Sequence, residues 1–301
     1  MLSSEESAWE VPGTAFTGRS PGPTVQRLVL GGQLRRLRED RGITLEQAAD
    51  VIRGSHSKLS RIEHGRVGFK ERDVADLLSY YGMTDGEQRA ALLALARETA
   101  TPGWWHDYAD IIPNWVEPYV GLEAAASVIR TFQVQYVPGL LQTEGYARAL
   151  LQTGFPDAES EEVARRAELR VNRQEVLNKP NAPRMWAVID EGALRRPIGG
   201  PEVMREQVRH LIDMADHPAI TIQVLQFKAG AHSGGGGPFV LLRFGEPDLQ
   251  DVVYLEQLTS ALYLEKSAEV DRYSEVMEEL CLQAAPSDDT PKVLDGILAD
   301  L

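Results

Sequence analysis

The chain of 301 residues predicts an α+β fold, in which an N-terminal all-α domain of five short helices precedes a C-terminal domain mixing helices with an antiparallel sheet. Three observations lead there. From about residue 28 to 99, apolar residues recur three and four apart, and capping residues and glycines mark the breaks. After Asn181 the pattern changes to β-branched and aromatic runs bounded by Gly, Pro and Asp. The length suits about two domains, each with enough chain to bury a core.

Residues 1 to 23, rich in Ser, Gly, Pro and Glu, read as a disordered arm. Leu30, Leu34 and Leu37 define a first helix whose other face carries Arg35, Arg36 and Arg38. Thr44 with Gln47 forms a capping box that opens a second helix, from about Leu45 to Ile52, with Ala48 and Ala49 small enough for a close neighbour. Gly54 breaks that helix. Ser55 caps a third, which buries Leu59 and Ile62 and stops at Gly65. Val74, Leu77, Leu78 and Tyr81 mark a fourth helix ended by Gly82. Thr84 and Glu87 then form a second capping box before a fifth, which carries Leu92, Leu95 and Ala96. Thr101, Pro102 and Gly103 punctuate the boundary of a domain spanning 28 to 99.

The third helix exposes His56, Ser57, Lys58, Ser60 and Arg61, a set of hydrogen-bonding and cationic groups suited to DNA. In a helix-turn-helix the second helix of the pair lies in the major groove with its N-terminal residues on base edges. Arg61 has the forked donors that read guanine; His56 and Ser57 are shorter, less selective readers. The pattern alone leaves a solvated helical hairpin open as the alternative. The total charge of −14 argues against DNA, but from Val25 to Gly82 eleven basic residues face eight acidic ones, so this stretch carries +3 and the rest −17. An acidic bulk on a mildly basic module disfavours nonspecific binding and makes a specific contact salt-sensitive.

Residues 30 to 82 resemble the xenobiotic-response-element (XRE) class of helix-turn-helix regulators. The run T-x-x-x-A-A, then S-x-x-x-(L/I)-S-R-I-E-x-G, is present as Thr44, Ala48, Ala49, Ser55, Leu59, Ser60, Arg61, Ile62, Glu63 and Gly65. The resemblance implies base reading by His56, Ser57 and Arg61, with Lys58 and Ser60 near phosphates. Gln47 and Arg53 complete the DNA-facing candidates. It also implies a structural ion pair between Arg38 and Glu63. Two positions depart from the family: Leu45 replaces a phosphate-contacting glutamine, and Arg53 replaces the turn glycine.

The second domain, 104 to 285, opens with Trp104, Trp105, Tyr108 and Trp115, a density that signals interdomain packing or a binding surface. Leu122, Ala126, Ile129 and Phe132 predict a helix, Thr143 caps the next, and residues 159 to 178 read as one long charged helix. Strands are predicted at 184 to 191, 219 to 227, 238 to 244 and 251 to 258, the last three pairing antiparallel, with a helix from Glu202 to Asp213 between the first two. A helix from about Ser267 to Leu282 precedes an acidic tail, 286 to 301, with a short helix from Val293.

Catalysis finds little support. Asp190 and Glu191 are adjacent, so on a strand they point to opposite faces. Gly234 to Gly237 lacks a following helix and lysine, and reads as a hairpin loop near His232 and Ser233. The histidines have no ligand-like spacing, and Cys281 is the single cysteine, which fits a reducing cytoplasm. Neither a signal peptide nor a membrane-spanning apolar run is present. The expectation is therefore a non-enzyme without catalytic residues, metal or cofactor.

Most of residues 104 to 282 resembles the uncharacterised C-terminal domain found behind XRE-type modules in actinobacterial regulators. The resemblance rests on PGLLQTEGYARAL, RVNRQEVL, VIDEGALRRPIGG, VMREQVRHL, GGGPFVLLRF and VVYLE in order. It implies an antitoxin-like regulator with a small acidic protein partner. A small-molecule sensor remains the alternative: it would show a concave apolar pocket, whereas a partner-binding module would show an apolar patch or open sheet edge. Either way the sequence predicts a cytoplasmic regulator that binds a double-stranded DNA operator as a homodimer.

Overall fold

The computed structural model describes residues 23–99, 103–245 and 249–301. The arm read over 1 to 23 lies outside the described residues except for Pro23, which opens α1 (Pro23–Asp40). Helices α2 (Leu45–Val51), α3 (His56–Glu63), α4 (Glu71–Tyr80) and α5 (Gly86–Glu98) follow, giving the expected five-helix domain. Its core joins Leu30 and Leu34 of α1, Ala48 and Ala49 of α2, Leu59 and Ile62 of α3, and Val74, Leu77 and Leu78 of α4. One cap is displaced by a residue. Asp85, not Thr84, caps α5, its Oδ1 accepting from the Glu87 and Gln88 amides at 2.9 and 3.2 Å. A carboxylate there satisfies the same donors and also meets the positive end of the helix dipole.

The C-terminal domain contains α6 (Glu117–Ala125), β1 (Val128–Gln133), α7 (Glu144–Gly154), α8 (Ser160–Gln174), β2 (Arg184–Asp190), α9 (Glu191–Arg195), α10 (Pro201–Ala215) and β3 (Ile220–Leu225). It continues with β4 (Phe239–Arg243), β5 (Val252–Glu256), β6 (Ala261–Leu264), α11 (Ser267–Gln283) and α12 (Thr290–Asp300). The six strands form one mixed sheet in the order β3-β2-β1-β4-β5-β6. Two cores flank it. Ile129, Ala187, Ile189, Val224 and Leu242 pack on one side with α10 and α12 residues such as Val208 and Leu294. Phe132, Val188, Leu241 and Val253 pack on the other against Met277 and Leu280 of α11.

Four expectations are corrected here. The helix predicted through Phe132 ends at Ala125, and residues 128–133 form a central strand paired with β2 in parallel and β4 antiparallel. Ile129 and Phe132, three apart, suit one face of a helix, but in the strand they serve opposite cores. The last three predicted strands do not all pair antiparallel: β4 and β5 do, whereas β3 crosses the sheet to lie parallel to β2 at the edge. A further strand, β6, pairs with β5. The long helix over 159 to 178 ends at Gln174 and tightens into a 3-10 turn over Glu175–Asn178. The short helix expected from Val293 is present as α12 but starts at Thr290, and the segment read as a tail is packed, with Leu294 and Ile297 buried in the main core.

Thr143 caps α7 as expected, accepting from the Tyr146 amide at 3.3 Å. The aromatic segment is largely inward: Trp105 is buried with Ile112, Val120 and Leu169, while Trp104 stays part-exposed with its ring edge-on to Trp105. The two domains meet where α1 lies on α6. Gly121 permits that approach, since a Cβ there would stand 2.6 Å from Thr24 Oγ1.

Candidate DNA-binding surface

Helices α2 and α3 are held by local chemistry. The Gln47 amide donates to Thr44 Oγ1 at 3.2 Å, and the Thr44 amide donates to Gln47 Oε1 at 2.9 Å, the reciprocal capping box expected of that spacing. Ser55 Oγ accepts from the Lys58 amide at 3.1 Å and opens α3. Between them Arg53 adopts a φ of 51°, in the left-handed region that favours glycine, and the Gly54 amide reaches back to the Ala49 carbonyl at 2.9 Å. Arginine at the usual glycine position thus keeps the turn and carries about 1 kcal/mol of backbone strain.

The end of α3 is clamped from behind. Gly65 has a φ of 62°, and the Arg66 amide closes back on the Arg61 carbonyl at 2.9 Å. Arg38 of α1 donates from Nε to Glu63 Oε1 at 2.7 Å and from Nη2 to Glu63 Oε2 at 2.9 Å, while Nη1 donates to the Ile43 carbonyl at 2.9 Å. Both partners are buried, Arg38 at 7% and Glu63 at 3% exposure. The hydrogen bond to Glu63 raises the Arg38 guanidinium above its ordinary value. Burial, and then the charge of Glu63, push up the nearby Tyr81 phenol. Gly31 lets α1 touch this end directly: a Cβ there would lie 2.6 Å from the Glu63 carbonyl oxygen.

With its rear face fixed, α3 presents His56, Ser57 and Arg61 to solvent, with Lys58 and Ser60 half-buried beside them. Arg61 Nε donates weakly to the Ser57 carbonyl, one turn back along the helix, at 3.4 Å. Lys58 Nζ is 3.1 Å from Asp73 Oδ2 on α4, a tether sequence reasoning missed. The acidic first turn of α4, with Glu71 and Asp73, was the available signal. Gln47 and Arg53 are exposed at the start of α2 and in the turn.

Elsewhere the groups weighed for catalysis are engaged by backbone groups and, for Glu191, also by the Arg195 side chain. Asp190 Oδ1 accepts from the Gly192 amide at 2.8 Å and caps α9, and Glu191 accepts from Arg195 Nε at 2.6 Å and from the Phe227 amide at 2.8 Å. His232 Nδ1 accepts from the Gly234 amide at 3.2 Å, and Ser233 Oγ donates to the Val276 carbonyl at 3.4 Å. Burial raises the Cys281 thiol above its ordinary value. Among the described residues no group of three or more His, Cys, Asp or Glu could hold a metal ion, and no helix is long and apolar enough to cross a membrane.

Five helices with a capped pair at their centre, and a polar face on the second helix of that pair, define a helix-turn-helix DNA-binding domain, and residues 29–92 match the family described as a helix-turn-helix domain. Residues 116–296 match the domain of unknown function DUF5753, over more than half of the chain, and the chain belongs to that family. Neither the curated proteins nor the solved structures contain a match to it.

Proposed function

We propose that the protein is a sequence-specific transcriptional regulator of the XRE class, antitoxin-like and cytoplasmic, that binds its operator as a homodimer and a small acidic protein through its C-terminal domain. The observation that carries the DNA reading is the exposed trio His56, Ser57 and Arg61 on a helix whose opposite face is locked by Leu59, Ile62 and Glu63. Such a helix enters the major groove without rearranging its own core. Lys58, Ser60, Gln47 and Arg53 flank the trio as phosphate contacts, Lys58 by leaving Asp73. One such helix reads too few base pairs to address a genome, so two-fold doubling of the site is expected.

Partner binding is favoured over sensing by exposed leucines where the chain turns into the edge strand β6. Leu258, in the β5–β6 turn, is 97% exposed and Leu262 on β6 is 53% exposed, an apolar patch beside an edge strand. A crevice of about 770 Å³ between α9, α12 and the end of α11 mixes charged groups such as Arg195, Lys228, Lys292 and Asp300 with apolar ones such as Val293 and Ile297, and so is not the largely apolar pocket a sensor would show. We assign the domain no catalytic role, since Asp190 and His232 serve a cap and a turn, and Glu191 is taken by Arg195 and the Phe227 amide.

The DNA reading is tested on a duplex selected in vitro by the full chain, titrated together with its single-base variants. Arg61→Ala is expected to lose about 1–3 kcal/mol at one base position and to stop discriminating there. Lys58→Ala should weaken all sequences alike and reduce the salt slope. Equal losses on selected and random duplex for Arg61→Ala would remove it from the base readers. Light scattering showing one chain per duplex, and a monomer free in solution, would refute the homodimer.

A further inference from the structure

The chain leaving α3 meets the C-terminal domain, and His64, which caps the helix, and Arg66, in the loop beyond it, approach one carboxylate there. His64 Nε2 lies 3.1 Å from Glu265 Oε2, just beyond β6. Arg66 donates to Glu265 Oε1 and, at 3.4 Å, to the Tyr263 carbonyl, with its guanidinium 4.8 Å above the Tyr263 ring. Tyr263 is itself anchored, its hydroxyl donating to the Trp115 carbonyl at 2.5 Å. Glu265 is therefore held in place by Arg66 and a fixed strand end, whatever the state of His64.

The His64 ring sits between partners with opposite demands. Its Nδ1 is 2.5 Å from the Ser60 carbonyl, which only accepts, so Nδ1 carries a proton. Its Nε2 faces both the Glu265 carboxylate, which accepts, and Arg35 Nη1 at 3.5 Å, which only donates. A neutral ring protonated on Nδ1 offers an acceptor at Nε2 and suits Arg35. An imidazolium offers a donor there and suits Glu265. The charged groups around the ring are Glu265, Arg35 with its partner Glu39 on α1, Arg66 from the adjoining loop, and Arg27 and Glu117, which line the same crevice from α1 and α6.

We propose that His64 is a proton-dependent positioning residue: protonated, it fastens the C-terminal end of the reading helix to Glu265 of the C-terminal domain; neutral, it returns to Arg35 of its own domain. Adding the Nε2 proton therefore closes the clasp on Glu265, and losing it opens the clasp. Arg66 keeps the domains joined in both states, and what changes is the restraint on the last turn of α3. The inference rests on α3 being the reading helix only where it concerns DNA, and its two tests separate those parts.

In the full chain labelled with 15N-histidine, long-range 1H–15N spectra from about pH 5.5 to about pH 8 report which ring nitrogen carries a proton. The His64 signal is assigned by its loss in His64→Gln. The expected neutral form is protonated on Nδ1, and acidification adds the Nε2 proton, at lower pH in Glu265→Gln than in the natural chain. A neutral ring protonated on Nε2, or the same profile in both chains, overturns the switch. For DNA, affinities for the in vitro selected duplex are compared between chains, because His56 lies on the same helix. The ratio of natural chain to Glu265→Gln is expected to change several-fold between the two ends of that pH range, and His64→Gln should reproduce the change. A constant ratio for both variants overturns the positioning role even if the spectra behave as expected, and a failure of Arg61 to read bases leaves the spectral test untouched.

Discussion

Replacing Arg38 with leucine is expected to destabilise the N-terminal domain by about 3–5 kcal/mol and to abolish specific DNA binding, because it leaves the Glu63 carboxylate buried without its partner. The two Arg38–Glu63 hydrogen bonds, at 2.7 and 2.9 Å, join α1 to the last residue of α3, and a third from Arg38 holds the loop before α2. A loss of that size approaches the whole stability of a small domain. Glu63→Gln should cost less, since an amide still accepts one guanidinium hydrogen bond. The double replacement Arg38→Met with Glu63→Leu should recover much of the stability, since a buried pair fixes geometry more than it adds free energy. Denaturant unfolding of the four chains, followed through amide signals of the N-terminal domain, measures this. A loss below about 1 kcal/mol for Arg38→Leu would place the pair among weak, solvent-screened ones.

Gly31→Ala is expected to cost about 1–3 kcal/mol, as overpacking does when the obstruction is backbone. The added Cβ would stand 2.6 Å from the Glu63 carbonyl oxygen and 2.7 Å from that of Ile62, and neither can rotate away. Helix α3 must shift from α1, which also strains the Arg38 fork. Specific affinity should therefore fall more than nonspecific affinity, although position 31 is on the buried side of α1, behind the exposed face of α3. Gly32→Ala, at a neighbouring position where a Cβ meets nothing within 4 Å, is the control and should raise helix stability slightly. Equal stability of the two variants would mean that α1 does not set the position of α3.

What could be read in advance was what is local. The Thr44–Gln47 box, the Ser55 cap and the Gly65 stop each involve residues within a few positions of one another, and the helices they bound follow from them. Strand β1 was hidden because Ile129 and Phe132 fit a helical face as well as two faces of a strand; only the pairing with β2 and β4, distant in sequence, decides between them. The place of β3 was hidden for a related reason. A loop from β3 to β4 looks the same whether it makes a hairpin or carries the chain across the sheet. At the candidate site, the exposed trio was legible from the helical period, whereas the Lys58–Asp73 tether and the grip of Glu265 on Arg66, 199 residues away, were not.

The most direct test of the account is guanine methylation interference on the selected duplex, since a methyl group on N7 blocks the major-groove edge that an arginine fork reads. Interference is expected at guanines facing one side of the duplex in the natural chain, with one guanine per half-site losing its interference in Arg61→Ala while the others keep theirs. Interference that is absent at every guanine N7, or unchanged when Arg61 is removed, would contradict the claim that α3 reads DNA through that residue.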